Sequence, residues 1–144
     1  MKNQLFVLGV ALMVFVLGAC STETYAVDVD IEEIQLFIAL DYNETELEPF
    51  DVLFEEDDIE LVTSALKSAE KMDGIPDIRM PDYGIDLVGT QTNHLFLWLD
   101  EDTTESLFVE YLEDGTEAYY TISEENTDIL REFITERREE FNGN

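Results

Sequence analysis

Apolar and polar positions along the chain follow two periods, and each period predicts a different kind of element. Residues 31–40 carry apolar side chains at alternate positions, as in a strand with one buried face. Those positions are Ile34, Leu36, Ile38 and Leu40. Residues 41–50 are mostly polar and predict a loop. Residues 57–72 carry apolar side chains at helical spacing and predict a first helix, which Asp73-Gly74 ends. Its apolar stripe comprises Ile59, Val62, Leu66, Ala69 and Met72.

Short strands and a second helix are predicted in the remainder of the chain. The strands lie at about 83–88, 94–99, 105–112 and 116–122. Asp114-Gly115, between the last two, is the strongest hairpin signal in the sequence. The run Leu95-Phe96-Leu97-Trp98-Leu99 is apolar at every position, which predicts a central strand covered on both faces. Ser123 is suited to cap a helix that ends at about Phe141.

These elements follow one another in the order β-α-β-β-β-β-α. Such an order predicts the α+β class, with a mostly antiparallel sheet of about five strands and two amphipathic helices packed on it. No internal repeat or long linker interrupts the series, and its length suits one core. The sequence therefore predicts a single domain, preceded by an N-terminal signal segment.

The apolar run at residues 5–17 has the features of an export signal. Lys2 precedes it, and the small residues Gly18 and Ala19 lead into Cys20, the only cysteine of the chain. The run is too short to cross ~30 Å of hydrocarbon comfortably as a helix. The motif is the lipobox of a bacterial lipoprotein. We therefore predict cleavage between Ala19 and Cys20, and lipidation of Cys20.

Cleavage and lipidation at Cys20 determine the predicted organisation and location of the protein. Residues 1–19 are the predicted signal peptide, 20–30 a lipidated acidic tether, and 31–144 the acidic α+β domain. The thioether-linked diacylglycerol of bacterial lipoproteins carries two acyl chains, which are enough for firm anchoring. The expected location is the outer face of the cytoplasmic membrane of a Gram-positive bacterium, with the membrane as partner through the lipid on Cys20.

The net charge of the chain limits the classes of partner that it could bind. The formal net charge is −28 at pH 7, so the surface repels nucleic acid and attracts cations. Two interpretations of this acidity remain open. One is adaptation to a salty or alkaline exterior, and the other is cation binding. Asp100, Asp102 and Glu105 are the Ca²⁺ candidates, although their loop lacks the glycine of a calcium loop. No metal site or other cofactor is predicted.

Residues suited to catalysis are few. A lipidated Cys20 leaves no thiol, and His94 follows a turn-like segment, so it is predicted to lie at the end of a strand. The prediction is therefore a binding or envelope-associated module, not an enzyme. The alternatives are a Ca²⁺-binding domain and a hydrolase of wall polymers that uses paired carboxylates.

Aromatic residues in the predicted sheet suggest where a ligand could bind. If one face lacks helix cover, Trp98, Tyr83 and Tyr119 could form an apolar binding surface. The other interpretation is that they are ordinary core residues. The sequence does not identify a protein or small-molecule partner.

An ordered series of segments resembles a known family. It starts with residues 61–71 and Gly74-Ile75-Pro76-Asp77, and continues through Pro81-Asp82-Tyr83 and residues 95–99 to Tyr119-Tyr120-Thr121-Ile122. The series resembles the small lipoproteins of Bacillus-like bacteria that carry a YhfM-like domain, over residues 50–141 together with the lipobox. The resemblance implies a lipid-anchored exterior domain and provides no catalytic residues to carry over.

Overall fold

The computed structural model describes residues 21–27 and 30–143, which form one mixed sheet-and-helix domain. The strands are β1 (Glu33–Asp41), β2 (Glu44–Thr45), β3 (Asp51–Leu53), β4 (Glu70–Lys71), β5 (Tyr83–Val88), β6 (Thr92–Trp98), β7 (Leu107–Tyr111) and β8 (Glu117–Thr121). The helices are α1 (Glu56–Lys67) and α2 (Glu124–Asn142). Neither helix is long and apolar enough, within these described residues, to cross a membrane.

The sheet has eight strands in the order β2-β1-β5-β6-β7-β8-β4, and β3 pairs with β1 beside this path. Each of these neighbouring pairs is antiparallel. The predicted α+β class with an antiparallel sheet and two helices is therefore confirmed. The prediction of about five strands in the order β-α-β-β-β-β-α is wrong. It missed β2, β3 and β4, which have only two or three residues each and are too short to show an alternating pattern.

The first helix ends at Lys67, five residues before the predicted end at residue 72. After Ser68 the backbone finds partners in the sheet, because Glu70 and Lys71 pair with β8 and Met72 N donates to Tyr119 O at 2.8 Å. Ala69 is buried and Met72 packs against the sheet. Both residues therefore have apolar surroundings, as the pattern predicted, although neither lies in a helix. Tertiary pairing has therefore overridden the helical period at this point.

The second helix and the β7–β8 hairpin agree with the sequence. Ser123 caps α2, since its side chain accepts a hydrogen bond from Asn126 N. Gly115 has φ +81° in the turn, a conformation that favours glycine, and Leu112 N donates to Thr116 O at 2.9 Å. Strand β6 lies between β5 and β7, which confirms that the apolar run Leu95–Leu99 belongs to a central strand, although the strand itself ends at Trp98.

The helices cover one face of the sheet and form the main core with it. Fully buried residues in this core include Ile34, Leu36, Ile85, Leu95, Leu97, Phe108, Leu130 and Ile134. Where α2 begins, Thr127 Oγ1 accepts a hydrogen bond from Ser106 N at 2.8 Å, and both residues are completely buried. This bond fixes the N-terminal turn of α2 to the segment before β7.

Residues at the start of the described chain belong to the folded domain. Tyr25 is only 3% exposed and its ring packs against Phe108 and Tyr120, each with a centroid distance of 5.0 Å. Glu23 O accepts a hydrogen bond from Lys71 N at 2.8 Å, and Tyr25 N donates to Ala69 O at 3.0 Å. This part of the predicted tether is therefore docked on β4, and the folded domain begins before the predicted boundary at residue 31.

The second face of the sheet has its own smaller core, made by Phe96, Trp98, Val109 and Tyr119. The segment between β4 and β5 covers one end of this face, where Met72 and Ile78 pack on the cluster. Trp98 Nε1 donates to Arg79 O at 2.5 Å and so holds the segment in place. The remainder of the face is not covered by this segment, and it carries the candidate site.

Candidate functional site

A hairpin folds over the second face of the sheet and forms one wall of a groove. The hairpin is made by β1 and β2, and Tyr42 lies in its turn. Tyr111 Oη, on β7, donates to Tyr42 O at 2.8 Å, and Tyr42 Oη donates to Ile78 O at 2.9 Å. These two bonds connect the turn to a strand three positions away in the sheet and to the covering segment.

Gly84 allows the hairpin to approach the sheet closely. A Cβ atom at this position would fall inside the contact distance of Thr45 Cγ2, on β2. The absence of a side chain on β5 at this point therefore lets β2 lie against the sheet.

The groove beside the hairpin has a volume of about 450 Å³, within the range of small-ligand sites. It is lined by Asn43, Thr45, Gly84, Asp86, His94, Leu95, Phe96 and Tyr111. These residues come from the hairpin and from three adjacent strands, β5, β6 and β7. The groove thus combines an apolar floor with several hydrogen-bonding groups.

Asp86 and His94 face each other directly across β5 and β6. His94 Nδ1 lies 2.7 Å from Asp86 Oδ1, with side-chain exposures of 63% and 21% respectively. Because an ionised carboxylate can only accept, His94 Nδ1 is the donor. The carboxylate thereby orients the imidazole, whose Nε2 accepts or donates no hydrogen bond within the described part of the chain.

Two aromatic rings give the groove its apolar surface. The rings of Phe96 and Tyr111 meet edge to face, with a centroid distance of 5.8 Å and an interplanar angle of 87°. Burial and, secondarily, the nearby Glu117 carboxylate raise the pKa of Tyr111. Its hydroxyl therefore stays protonated and continues to donate to Tyr42 O.

A second cavity of about 660 Å³ lies at the end of the sheet where the N-terminal segment docks. One of its two carboxylates, Glu110, accepts hydrogen bonds from Tyr25 Oη at 3.1 Å and from Asn93 Nδ2 at 2.9 Å. Burial raises the pKa of Tyr25 well above its usual range, with a smaller contribution from Glu110. Because these groups satisfy one another, we assign the network to fixing the N-terminal segment on the domain.

The three aromatic residues predicted as a binding surface do not form one. Trp98 and Tyr119 are 5% and 8% exposed and belong to the second-face core, with ring centroids 6.5 Å apart. Tyr83 is on the helix-covered side, where it packs on Phe50 and the Arg138 guanidinium lies 5.9 Å from its ring centroid. The interpretation as core residues describes them better.

The calcium candidates are not gathered around a common point. Asp100 accepts hydrogen bonds from the side chains of Thr103 and Arg79, and these two interactions lower its pKa. Asp102 and Glu105 are exposed in the same loop. In the ranges 21–27 and 30–143, no three His, Cys, Asp or Glu side chains are placed to hold a metal ion. The geometry gives no support to a calcium site in this loop.

Two pairs of carboxylates in the described part of the chain each share an arginine. Asp82 and Asp100 both bind Arg79, and Asp51 and Asp58 both bind the arginine at position 137. In each pair both carboxylates are already bound to the same arginine, whereas a glycoside hydrolase uses two carboxylates that flank the scissile bond. The predicted cleavage and lipidation residues, at positions 19 and 20, lie outside the described residues.

Sequence reasoning missed the residues that form the groove. Asp86 and His94 each occupy a polar position in their strands, but only the register between β5 and β6 makes them neighbours. The turn between these strands, which includes a hydrogen bond from Gly89 N to Gln91 O, sets that register. A search of the sequence for polar residues at equal distances on either side of this turn would have found the pair.

Comparison with known proteins gives the family. A family model described as "YhfM protein" matches residues 30–140. The chain belongs to the YhfM family. The predicted resemblance to a YhfM-like domain is therefore confirmed, and the groove lies entirely inside the matched range. The lipoprotein part of that resemblance stays a prediction.

A solved structure is also similar to this chain in fold. A solved structure titled as a thioesterase-like protein from Clostridium sporogenes superposes with a TM-score of 0.56 and 17% sequence identity. The superposition covers 72% of the YhfM-family chain and 94% of the other chain. At this identity the likeness concerns the fold alone. A search of curated proteins finds no match.

Proposed function

We propose that this YhfM-family protein is a lipid-anchored binding module on the outer face of a bacterial cytoplasmic membrane, without enzymatic activity. The observation that carries the binding role is the groove on the second sheet face. Its floor of Gly84 and Phe96 is apolar, and Asp86, His94 and Asn43 supply hydrogen-bonding groups at its sides. This combination is typical of sites that recognise a ligand through shape and a few polar contacts.

Lipid anchoring is supported by the sequence motif that ends at Cys20. The docking of Glu23 and Tyr25 on β4 leaves Ser21 and Thr22 as the link between the proposed lipid and the domain. Three residue steps from Cys20 to Glu23 span at most roughly 11 Å. The domain would therefore lie close to the membrane surface, with its β4 edge nearest to the anchor.

The anchoring part can be tested by processing and fractionation. In wild-type cells we expect a membrane-bound mature form whose N-terminal residue is a lipidated Cys20, identified by mass spectrometry. Cys20→Ser or treatment with globomycin should leave the uncleaved precursor. Normal maturation and membrane retention of Cys20→Ser would refute lipid anchoring.

The binding part can be tested through His94, since it is the only histidine of the chain. Its imidazole proton resonances report on the groove without any mutation. A panel of neutral, cationic and anionic ligands should include members that shift these signals saturably. If no member of any charge shifts them, the groove is not a ligand site.

A hydrolase is the second candidate function, and one observation favours it. Asp86 orients His94 through Nδ1, and Nε2 has no hydrogen-bond partner among the described residues, as in a general base. The groove lining contains no serine or cysteine, and its hydroxyl groups belong to Thr45 and Tyr111. The thioesterase-like neighbour supplies the substrate class to test, which is an acyl thioester. Hydrolysis that His94→Ala abolishes would overturn the non-enzymatic assignment.

A further inference from the structure

We propose that the groove binds the lysine side chain of a cationic peptide, with the ammonium group on Asp86 and the aliphatic stem against Phe96 and Tyr111. This inference rests on the proposed binding function of the groove and gives its ligand a chemical class. It follows from the free carboxylate oxygen, the surrounding charge and the two rings.

Asp86 offers one oxygen to a ligand. Its Oδ1 accepts the hydrogen bond from His94 at 2.7 Å, while Oδ2 accepts none from any residue that the structure describes. The side chain is 21% exposed and lines the groove. A carboxylate in this position attracts a cation with hydrogen-bond donors.

No lysine or arginine of the described ranges lines the groove to neutralise this carboxylate. Arginines of the domain pair with carboxylates elsewhere, as Arg79 does with Asp82 and Arg137 with Asp58. With a net charge of −28, the whole protein also attracts cationic ligands over a long range. Charge therefore favours a cationic ligand over a neutral or anionic one.

The rings of Phe96 and Tyr111 complete a site for an alkylammonium group. They stand nearly perpendicular to each other, and both residues line the groove. Methylene groups pack well on such surfaces, and a cation within about 6 Å of a ring centroid gains further attraction. A lysine side chain supplies both the methylene groups and the cation.

The geometry favours lysine over arginine. A guanidinium group binds a carboxylate best through two parallel hydrogen bonds, which require both oxygens. His94 already binds Oδ1 of Asp86, so a guanidinium group would have to share that oxygen with the imidazole. An ammonium group is a point charge with three donors, so it needs only one carboxylate oxygen, and the exposed Asn43 amide in the same lining offers a further acceptor.

The test uses the complete mature lipoprotein in a micelle of neutral detergent, so that a cationic peptide has no anionic lipid to bind. A short peptide with lysine residues separated by glycine is titrated while the His94 imidazole resonances are followed. We expect a saturable shift of these resonances. The same peptide with Nε-acetylated lysines keeps the stem but loses the charge, and it should leave them unchanged.

Two variants with equal charge change separate the groove from the general field. Asp86→Asn should weaken binding of the lysine peptide about tenfold, since a charge-assisted hydrogen bond is lost. Asp102→Asn removes the same charge from an exposed loop outside the groove and should leave the affinity unchanged. Thermal unfolding of both variants verifies that they remain folded. Equal effects of the two variants would show that only net charge matters and would overturn the proposal.

The remaining outcomes separate this inference from the proposed function. If a neutral or anionic ligand shifts the His94 resonances and the lysine peptide does not, the ligand class is wrong but the groove still binds. If an arginine peptide binds as tightly as the lysine peptide, the selectivity for lysine is wrong. If no ligand shifts the resonances, both the inference and the binding function fail.

Discussion

The hydroxyl of Tyr111 donates a hydrogen bond to the backbone carbonyl of Tyr42 at 2.8 Å, and this bond connects β7 to the turn of the β1–β2 hairpin. Strands β5 and β6 lie between these two elements in the sheet. The hairpin must therefore cross over the second face, and one wall of the groove depends on this crossing.

Tyr111→Phe should loosen the hairpin while it keeps the ring that packs on Phe96. We expect faster amide hydrogen exchange at residues 42–46 and a loss of about 0.5–1.5 kcal/mol in the free energy of unfolding. Tyr119→Phe is the matched control, because the Tyr119 hydroxyl binds Glu117 two residues away on the same strand. Unchanged exchange in Tyr111→Phe would show that the bond does not hold the hairpin.

Gly84→Ala should push the hairpin away from the sheet, because the added Cβ meets Thr45 Cγ2. We expect a loss of about 1–3 kcal/mol in the free energy of unfolding, measured with denaturant. Thr45→Ser removes Cγ2 but keeps the hydroxyl, so the double variant should recover much of the loss. A double variant as unstable as Gly84→Ala would mean that another contact causes the strain.

Thr127→Val should destabilise the junction between α2 and the sheet. The substitution keeps the shape of the side chain but leaves Ser106 N, which is fully buried, without its acceptor. The expected cost is about 1–3 kcal/mol in denaturant unfolding. Thr127→Ser retains the oxygen and should cost less. A serine variant as unstable as the valine variant would contradict the role of this hydrogen bond.

Stability should fall at alkaline pH because the fold holds several tyrosines neutral, among them Tyr25 and Tyr119. Burial raises the pKa of both Tyr25 and Tyr119 above the ordinary value of 10.0, and the carboxylates of Glu110 and Glu117 contribute to the same direction. The unfolded chain releases these protons at a lower pH than the folded protein does. The free energy of unfolding should therefore be steady up to about pH 10 and decline as the pH rises further.

Denaturant unfolding at about pH 8 and about pH 11 measures this decline, and the ultraviolet absorbance of tyrosinate follows the ionisation. Tyr25→Phe removes one of these groups and should reduce the alkaline loss. The assignment would be contradicted if the variant and the wild type lost equal stability over this range.

Part of the fold could be predicted from the chain because the pattern is strong where an element is long. The helix after Ser123, the central strand that ends at Trp98 and the Gly115 turn were all correctly placed. In each case, local chemistry and the position in the core favour the same conformation. When local chemistry and tertiary packing favour the same conformation, an element can be predicted from a single sequence.

The short strands and the candidate site were not predictable in this way. Glu70 and Lys71 form a strand because β8 offers them backbone partners, and nothing within the segment itself indicates this. The pairing of Asp86 with His94 depends in the same way on the register of two strands. Local periodicity carries no information about which distant backbone a residue meets.

The sequence by itself determined the family, the α+β class, the long elements, the acidity and the motif that predicts lipidation of Cys20. Only the tertiary structure decided that the predicted aromatic surface is core, that Tyr25 joins the domain, and that Asp86, His94 and Phe96 share a groove. The physical reason is that a hydrophobic pattern specifies which residues are buried, whereas a site requires distant backbones to meet in one register. That register arises from the packing of the whole sheet.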